Sequence, residues 1–351
     1  MAREIDLSDD NVRNEFQDKL ARAVQSSHLN FLIGAGASYP AIQVAGSVEA
    51  EIKELIEQEK LQAARAKTFS FLRQFHQPMK QLLSGSPSAD VAATLKSYCA
   101  FIGAVDAVLA ERKTRLFPRQ ATVFTTNYDL FVERAAEDCP SIILNDGFAR
   151  TGSVLGRYLF RPENLFDAVH RAGNRYDYTA EMPSINLVKL HGSMSWARSE
   201  DKVVHQVTTF ESFEGVNPAD GAAIDALLNE IAIVLPTQDK FKHTILDRTH
   251  YDLLRIYANT LERESVLLVA FGFSFRDEHI LEITTRALRN PTLLLVVWCY
   301  DPADLPALRA MFASYHNVSI LTPKKKGELT FETLSSQWLG LAPSLGSANG
   351  R

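Results

Sequence analysis

The sequence predicts a doubly wound α/β fold, in which helices cover both faces of a mainly parallel sheet. Short runs rich in valine, isoleucine, leucine and phenylalanine alternate with longer segments of helical periodicity, and this alternation is typical of parallel sheets. Two of the runs, VLLVAF at 266–271 and TLLLVVW at 292–298, are apolar almost throughout. We therefore expect them to be central strands with both faces buried.

Strand and helix patterns recur along most of the chain. The strand pattern occurs in the segments 28–33, 121–125, 141–144, 186–190, 231–235, 265–271 and 292–299. A helix is predicted at 11–25, ahead of the first strand. Another helix is expected after the sixth strand, because Ile280, Ile283 and Ala287 fall on one face at helical spacing.

Between the first and second strands the composition changes. The segment 46–113 has no strand pattern and is dominated by Glu, Lys, Gln, Leu and Ala, which favours several helices. The expected division of the chain is a core at 1–45 and 114–322, this helical insertion or cap at 46–113, a loop-rich lid at 147–185, a second insertion at 199–230 and a partly disordered C-terminal extension at 323–351.

The composition is that of an ordinary soluble protein. Of the 351 residues, 46% are hydrophobic and 23% are charged. No apolar run approaches the roughly 20 residues that span a bilayer, and the first residues lack the basic start and apolar stretch of a secretory signal. We expect a cytoplasmic protein without a membrane partner.

Cysteine spacing and net charge argue against further classes of protein, namely disulfide-rich, zinc-binding and broadly nucleic-acid-binding proteins. Only Cys99, Cys139 and Cys299 occur, and they are too scattered for a disulfide framework or a CxxC zinc site. We therefore expect no bound zinc. The net charge of −5 argues against a broadly basic nucleic-acid surface, and we interpret the lysine run at 324–326 as a solvated turn.

A glycine turn follows the first predicted strand. It reads GAGAS from Gly34 to Ser38, and such a turn lets the backbone approach a pyrophosphate while the next helix offers free amides. The third glycine of the dinucleotide fingerprint is missing, since Tyr39 and Pro40 follow. An ordinary strand-to-helix turn is therefore the alternative.

Polar residues also follow the later strands. Asn127 and Asp129 come after the second strand, His191 comes after the fourth, and a second glycine turn at 272–275 comes after the sixth. In open parallel sheets ligands bind at the carboxyl ends of strands, so these residues predict one crevice. The alternatives are that Asn127 or Asp129 caps a helix at 130–137, and that the histidine is structural.

The order of these motifs resembles that of the sirtuins. GAGAS, TTNYD, KLHGS and FGFS follow one another here as GAG, TQN-x-D, HG and GTS do in that family, over residues 28–300. The wording TTNYD, KLHGS and GFSF-x-D-x-HI is closer to the sirtuin-like NAD-consuming domains of bacterial antiphage defence proteins. The resemblance implies a Rossmann-like core that takes NAD as its substrate and acts in abortive infection.

The resemblance also implies roles for individual residues. Asn127 and His191 match the catalytic residues of the family. The NAD-binding residues that it implies are Gly34, Ala35, Gly36 and Ser38 for the pyrophosphate, Asn127 and Asp129 for the nicotinamide ribose, Gly272 and Ser274 for the adenosine ribose, and also Thr126.

Two departures from the protein-deacylating sirtuins bear on the reaction. The GIPDFR-like loop is replaced by Tyr39-Pro-Ala-Ile-Gln-Val, and no cysteine lies between Cys139 and Cys299, where those enzymes carry a zinc module. We therefore expect NAD hydrolysis to nicotinamide and ADP-ribose, with Asn127 holding a water or a ribose hydroxyl and His191 acting as general base. A cyclic product, a deacylase or ADP-ribosyl transferase, and an NAD or ADP-ribose sensor are the alternatives.

Uncontrolled NAD consumption would harm the cell, so we expect activity to be gated by assembly. The resemblance implies a homo-oligomer or a complex with a separately encoded partner such as a HerA-like hexameric ATPase, with nucleic acid reached only through that partner. The helices at 46–113 offer a surface for such contacts, and ordinary core packing is the alternative interpretation of that segment.

Overall fold

The computed structural model describes residues 2–44, 48–112, 116–149, 158–173, 179–200, 202–206, 213–234 and 244–339, with only the backbone described at 49–50 and 244–247. The strands are β1 (Arg3–Asp6), β2 (His28–Ile33), β3 (Gln120–Thr125), β4 (Ile143–Asn145), β5 (Tyr158–Leu159), β6 (His170–Ala172), β7 (Thr179–Glu181), β8 (Ser184–Lys189), β9 (Gly192–Ser199), β10 (Lys202–His205), β11 (Ile231–Ile233), β12 (Val266–Phe271), β13 (Leu293–Trp298) and β14 (Val318–Thr322). The helices are α1 (Asp10–Gln25), α2 (Val48–Glu57), α3 (Leu61–Ser84), α4 (Ala89–Ala110), α5 (Phe131–Glu137), α6 (Gly221–Glu230), α7 (Thr244–Leu261), α8 (Glu278–Ala287), α9 (Leu305–Met311) and α10 (Phe331–Thr333).

The main sheet has eight strands in the order β1-β14-β13-β12-β2-β3-β8-β4. Every neighbouring pair in it is parallel, which confirms the predicted doubly wound α/β class. From β2 the chain continues to β3 on one side, and it returns to β12 on the other side. The switch point therefore lies between β2 and β12, where open α/β sheets form their ligand crevice.

The two faces of the sheet carry separate cores. In β2, Phe31 and Ile33 pack with α1, α3, α4 and α5, whereas Leu32 packs with α7, α8 and α9 on the other face. The ring of Phe31 meets that of Phe101 from α4 edge to face, with centroids 4.9 Å apart. Burial on both faces explains why β12 and β13 consist of apolar residues.

The segment expected to be a helical insertion contains α2, α3 and α4. Among the described residues, α4 alone has the length and apolar composition of a membrane span. Its residues Phe101, Ile102 and Val105 are fully buried in the core that covers one face of the sheet. Core packing therefore explains the apolar character of α4.

A second, antiparallel sheet has the order β11-β9-β10-β5. The segment at 231–235, expected in the main sheet, instead contributes β11 to this sheet by pairing with β9. The sequence did not predict β9, because its Gly and Ser residues lack the strand pattern. Gly192, with φ +78°, permits the sharp reversal that separates β8 from β9.

The remaining expectations fall partly outside the described residues. The lid at 147–185 contains β5, β6, β7 and the start of β8, and its residues 150–157 and 174–178 are not described. The second insertion contains β10 and α6. In the C-terminal extension, Phe331 and Trp338 are buried, and Trp338 packs edge to face on Trp298 at 5.2 Å.

Candidate active site

Two glycine turns contact each other at the switch point. The Gly34 amide donates to the carbonyl of Phe271, and the Gly36 amide donates to the carbonyl of Gly272, both at 3.0 Å. A Cβ atom on Gly34 would lie 2.4 Å from the Gly272 oxygen, and Gly272 itself has φ +62°. Close contact between the turns therefore requires glycine here, in addition to any need for a ligand to approach.

The first turn differs from the expected start of an α-helix. A four-residue 3₁₀ turn, Ala35–Ser38, follows Gly34, which has an extended backbone with φ −107°. The next helix, α2, begins only at Val48. Ala35 is exposed and Gly36 is half-buried, so the backbone of these two residues is what the turn presents to a ligand.

Asn127 lies at the end of β3 in a buried network. Its side-chain nitrogen donates to the Gly34 carbonyl at 3.0 Å and to Ser38 Oγ at 3.2 Å. Ser38 Oγ in turn donates to Asp129 Oδ2 at 2.6 Å and lies 3.0 Å from the Tyr98 hydroxyl. Because Ser38 is 1% and Asp129 3% exposed, we interpret both as residues that hold Asn127 rather than as direct contacts of a ligand.

Asp129, and not Asn127, contacts the start of helix α5, whose N-cap residue is Leu130. Helix α5 begins at Phe131, and Asp129 Oδ1 accepts a hydrogen bond from the Phe131 amide at 3.3 Å. The hydrogen bonds to Gly34 and Ser38 both use the side-chain nitrogen of Asn127, and the Tyr98 hydroxyl also lies within hydrogen-bonding reach of this side chain. Oδ1 takes no part in the bonds to Gly34 and Ser38, and it is the atom that can accept a hydrogen bond from a ribose hydroxyl or a water.

A buried lysine lies below this network. Lys189, 2% exposed, contacts Glu133 at 2.7 Å, Ser193 Oγ at 3.0 Å and the carbonyl of Asp129. Burial raises the pKa of both Asp129 and Glu133, and the ammonium of Lys189 partly opposes that rise. One signal for this site is visible in the sequence, a lysine at the end of a strand that is buried throughout.

His191 occupies the end of β8 and pairs with an acid from the fourth motif. Its Nε2 lies 2.9 Å from Asp277 Oδ2, and the two side chains are 19% and 20% exposed. Burial alone would raise the pKa of Asp277, but the hydrogen bond and charge of His191 hold it below its ordinary value. This pairing makes Asp277 a site residue that the sequence reasoning did not single out.

A second histidine lies beside His191. His250, on α7, has Nδ1 2.8 Å from the carbonyl of Leu190, and its ring centroid is 6.0 Å from that of His191. Burial, together with the neighbouring His191, lowers the pKa of His250. Because the Leu190 carbonyl belongs to the residue just before His191, this contact fixes the backbone from which His191 projects.

The four strand ends meet as expected. Gly34 and Asn127 join the ends of β2 and β3, and a hydrogen bond of 2.8 Å from the Leu190 amide to the Thr125 carbonyl joins β8 to β3. The pair of His191 with Asp277 joins β8 to the turn after β12. Of the other NAD-binding residues implied by the motifs, Thr126 is half-buried and Ser274 is exposed at the same edge.

Within the described ranges, no group of three or more His, Cys, Asp or Glu side chains is arranged to hold a metal ion. The described cysteines are free thiols. The absence of bound zinc stays a prediction for elemental analysis.

Comparison with known proteins gives one family. No curated protein matches the chain. The model of the SIR2-like domain matches residues 121–321, which include Asn127, His191 and Asp277 and begin after the first glycine turn. With more than half of its length matched, the chain belongs to the SIR2-like domain family.

Proposed function

We propose that this protein is an NAD glycohydrolase that cleaves the nicotinamide–ribose bond with water as the acceptor. Two contacts at the carboxyl ends of the parallel strands of a SIR2-like domain carry the proposal: Asn127 bonds to Gly34, and His191 pairs with Asp277. SIR2-like domains use NAD. This crevice therefore has both the family and the geometry for NAD chemistry.

The residues at the crevice suit a dinucleotide. Ala35 is exposed and Gly36 is half-buried, so only small residues line the approach for a pyrophosphate at this turn. Oδ1 of Asn127 offers an acceptor for a ribose hydroxyl or a water. Because the amide nitrogen of Asn127 is held by Gly34 and Ser38, this acceptor is oriented before the ligand arrives.

The chemistry needs orientation and a base more than an acid. Bond cleavage spreads positive charge over C1′ and the ring oxygen of the ribose, as in glycoside hydrolysis. The leaving group is a pyridinium, so the electron pair of the breaking bond leaves with nicotinamide as a neutral molecule. Water supplies the new C1′–O bond and loses one proton, and the products are nicotinamide, ADP-ribose and that proton.

His191 is the residue that can accept the proton. It is partly exposed and is held by Asp277 at 2.9 Å. A histidine base contributes about 10²- to 10⁴-fold to such a step. Asp129 is buried and engaged with Ser38, which suits it to support Asn127 rather than to react.

The experiment is product analysis with purified protein and NAD. We expect equal amounts of nicotinamide and ADP-ribose, with no requirement for an acylated peptide. A cyclic product would mean that an internal nucleophile, and not water, is the acceptor. Release of nicotinamide only with an acyl-lysine peptide would favour a deacylase. NAD binding without turnover in a competent assembly would favour a sensor. Elemental analysis of the same sample should give no stoichiometric zinc.

We further propose that the enzyme acts in bacterial antiphage defence in the cytoplasm and that assembly gates its activity. The support is the resemblance of the TTNYD, KLHGS and GFSF-x-D-x-HI motifs to those of sirtuin-like antiphage defence proteins. NAD turnover per chain should rise with protein concentration, or on addition of a separately encoded partner such as a HerA-like ATPase. The mass of the particle in solution should rise under the same conditions. Full, concentration-independent turnover by a monomer would contradict the gating.

A further inference from the structure

We propose that Asp277 is a positioning residue that places the hydrogen of neutral His191 on Nε2 and thereby leaves Nδ1 as the base. The catalytic role of Nδ1 rests on the proposed function. The tautomer of His191 rests on the geometry of Asp277 alone. The proposal deepens the role of His191 by naming the atom that takes the proton.

The two carboxylate oxygens of Asp277 have different partners. Oδ1 accepts hydrogen bonds from the amides of His279 at 3.0 Å and Ile280 at 3.1 Å, which makes Asp277 the N-cap of α8. Oδ2 faces His191 Nε2 at 2.9 Å. Since two amides of a helix hold one oxygen, the carboxylate cannot rotate freely, and the other oxygen stays directed at the imidazole.

The carboxylate determines which tautomer is favoured. An ionised carboxylate only accepts hydrogen bonds, and the hydrogen bond from His191 helps to keep the pKa of Asp277 below its ordinary value. The ring nitrogen facing it must therefore carry hydrogen, and the lone pair of the neutral ring is on Nδ1. When Nδ1 takes a proton from water, the same carboxylate stabilises the resulting imidazolium.

The turn that delivers Asp277 is itself held in an unusual conformation. Phe275 has φ +57°, a backbone conformation that residues other than glycine rarely adopt. Its ring is buried and meets Phe273 and Phe312 edge to face, with centroids 5.0 and 5.1 Å away. Packing of this ring keeps the turn in the shape that brings Asp277 to His191.

The tautomer can be measured without any turnover. In ¹⁵N-labelled protein at a pH where the histidines are neutral, two-bond nitrogen–proton correlations distinguish hydrogen on Nε2 from hydrogen on Nδ1. The signals of His191 are those missing from a His191→Gln variant. We expect the wild-type protein to have the Nε2–H form.

The decisive variant is Asp277→Asn. Asparagine caps helices as well as aspartate does, so its oxygen should keep the two amides of α8 while its NH₂ group faces His191. An NH₂ group donates, which forces the hydrogen of His191 to Nδ1. We expect the tautomer to reverse, kcat for nicotinamide release to fall at least about 10²-fold, and KM to change less than about threefold.

Asp220→Asn is the matched control. Asp220 caps α6 by accepting from the amides of Ala222 and Ala223 at 3.0 and 3.1 Å, and it has no contact with His191. This variant should keep both the His191 signals and kcat. Equal loss of activity in both variants would mean that helix capping in general is responsible, and it would overturn the proposal.

Other outcomes are equally informative. An unchanged Nε2–H form in folded Asp277→Asn would overturn the assignment of Asp277. If that variant does not fold, Asp277→Ser retains a capping oxygen but not the contact with His191, and it should give mixed tautomers; a pure Nε2–H form there would also overturn it. A reversed tautomer in a protein whose wild type does not cleave NAD would support the positioning role and refute only the proposed function.

Discussion

The two halves of the crevice are built in different ways. Asn127 is 7% exposed and belongs to a buried network with Ser38 and Asp129. His191 is half-buried and depends on one acid at the start of a helix. The comparison indicates that the Asn127 half, which we propose orients the ribose, is part of the core, whereas the His191 half, which we propose moves a proton, lies at its margin. Substitutions in the first half should therefore reduce stability most, whereas replacing His191 should mainly reduce the rate.

The largest effect on stability is expected for Lys189→Met. The ammonium is buried and pairs with Glu133 at 2.7 Å, so its removal leaves a buried carboxylate without its partner. Breaking such a pair costs roughly 3–5 kcal/mol. The free energy of unfolding in urea measures this loss.

The control for Lys189→Met is Lys67→Met. Lys67 forms a pair of the same length, 2.7 Å, with Glu51, but both side chains are more than 40% exposed. Exposed pairs contribute about 0–1 kcal/mol. Equal losses in the two variants would contradict the idea that the Asn127 half is built into the core.

A smaller effect is expected for Gly34→Ala. The new Cβ would lie 2.4 Å from the backbone oxygen of Gly272, and forced overlap of this kind costs about 1–3 kcal/mol. At Gly103, in α4, a Cβ meets no heavy atom within 4 Å, so Gly103→Ala should stabilise by about 0.5–1 kcal/mol. Thermal unfolding of both variants tests the pair. Loss of NAD affinity in Gly34→Ala with no loss of stability would instead make ligand approach the main reason for this glycine.

Much of this fold could be predicted from hydrophobic runs, because a strand that is buried on both faces is a run of mostly apolar residues in the sequence. Strand β1 could not, since only Ile5 of its four residues is buried. The meeting of the strand ends could be predicted, because the carboxyl ends of parallel strands lie at one edge of the sheet. Contacts between distant segments could not be predicted, as with the packing of Gly34 against Gly272 and with Asp277, which locally has the pattern of an ordinary helix cap.

The smallest effects are opposite pH dependences of the two halves. The pKa of Asp277 is lowered from 3.8, so its contribution to stability is present above that pH and is lost as the pH falls below it. The pKa of Glu133 is raised from 4.5, so its contribution is complete below that pH and declines as the pH rises.

These two pH dependences of stability can be measured with two variants. The difference in unfolding free energy between wild type and Asp277→Asn should shrink as the pH falls from 5 towards 3. The difference between wild type and Glu133→Gln should shrink as the pH rises from 4.5. Parallel slopes would mean that the two halves do not differ electrostatically as described.

The central claim is that Asn127 orients the substrate from within the core while His191 takes the proton at its margin. The most direct test measures nicotinamide release and unfolding free energy together for Asn127→Ala and His191→Ala. We expect both variants to lose at least about 10²-fold in rate. Asn127→Ala should also lose about 1–3 kcal/mol, because Gly34 and Ser38 lose a buried partner, and His191→Ala should stay within about 0.5 kcal/mol of wild type. A His191→Ala variant that releases nicotinamide at the wild-type rate would contradict the account.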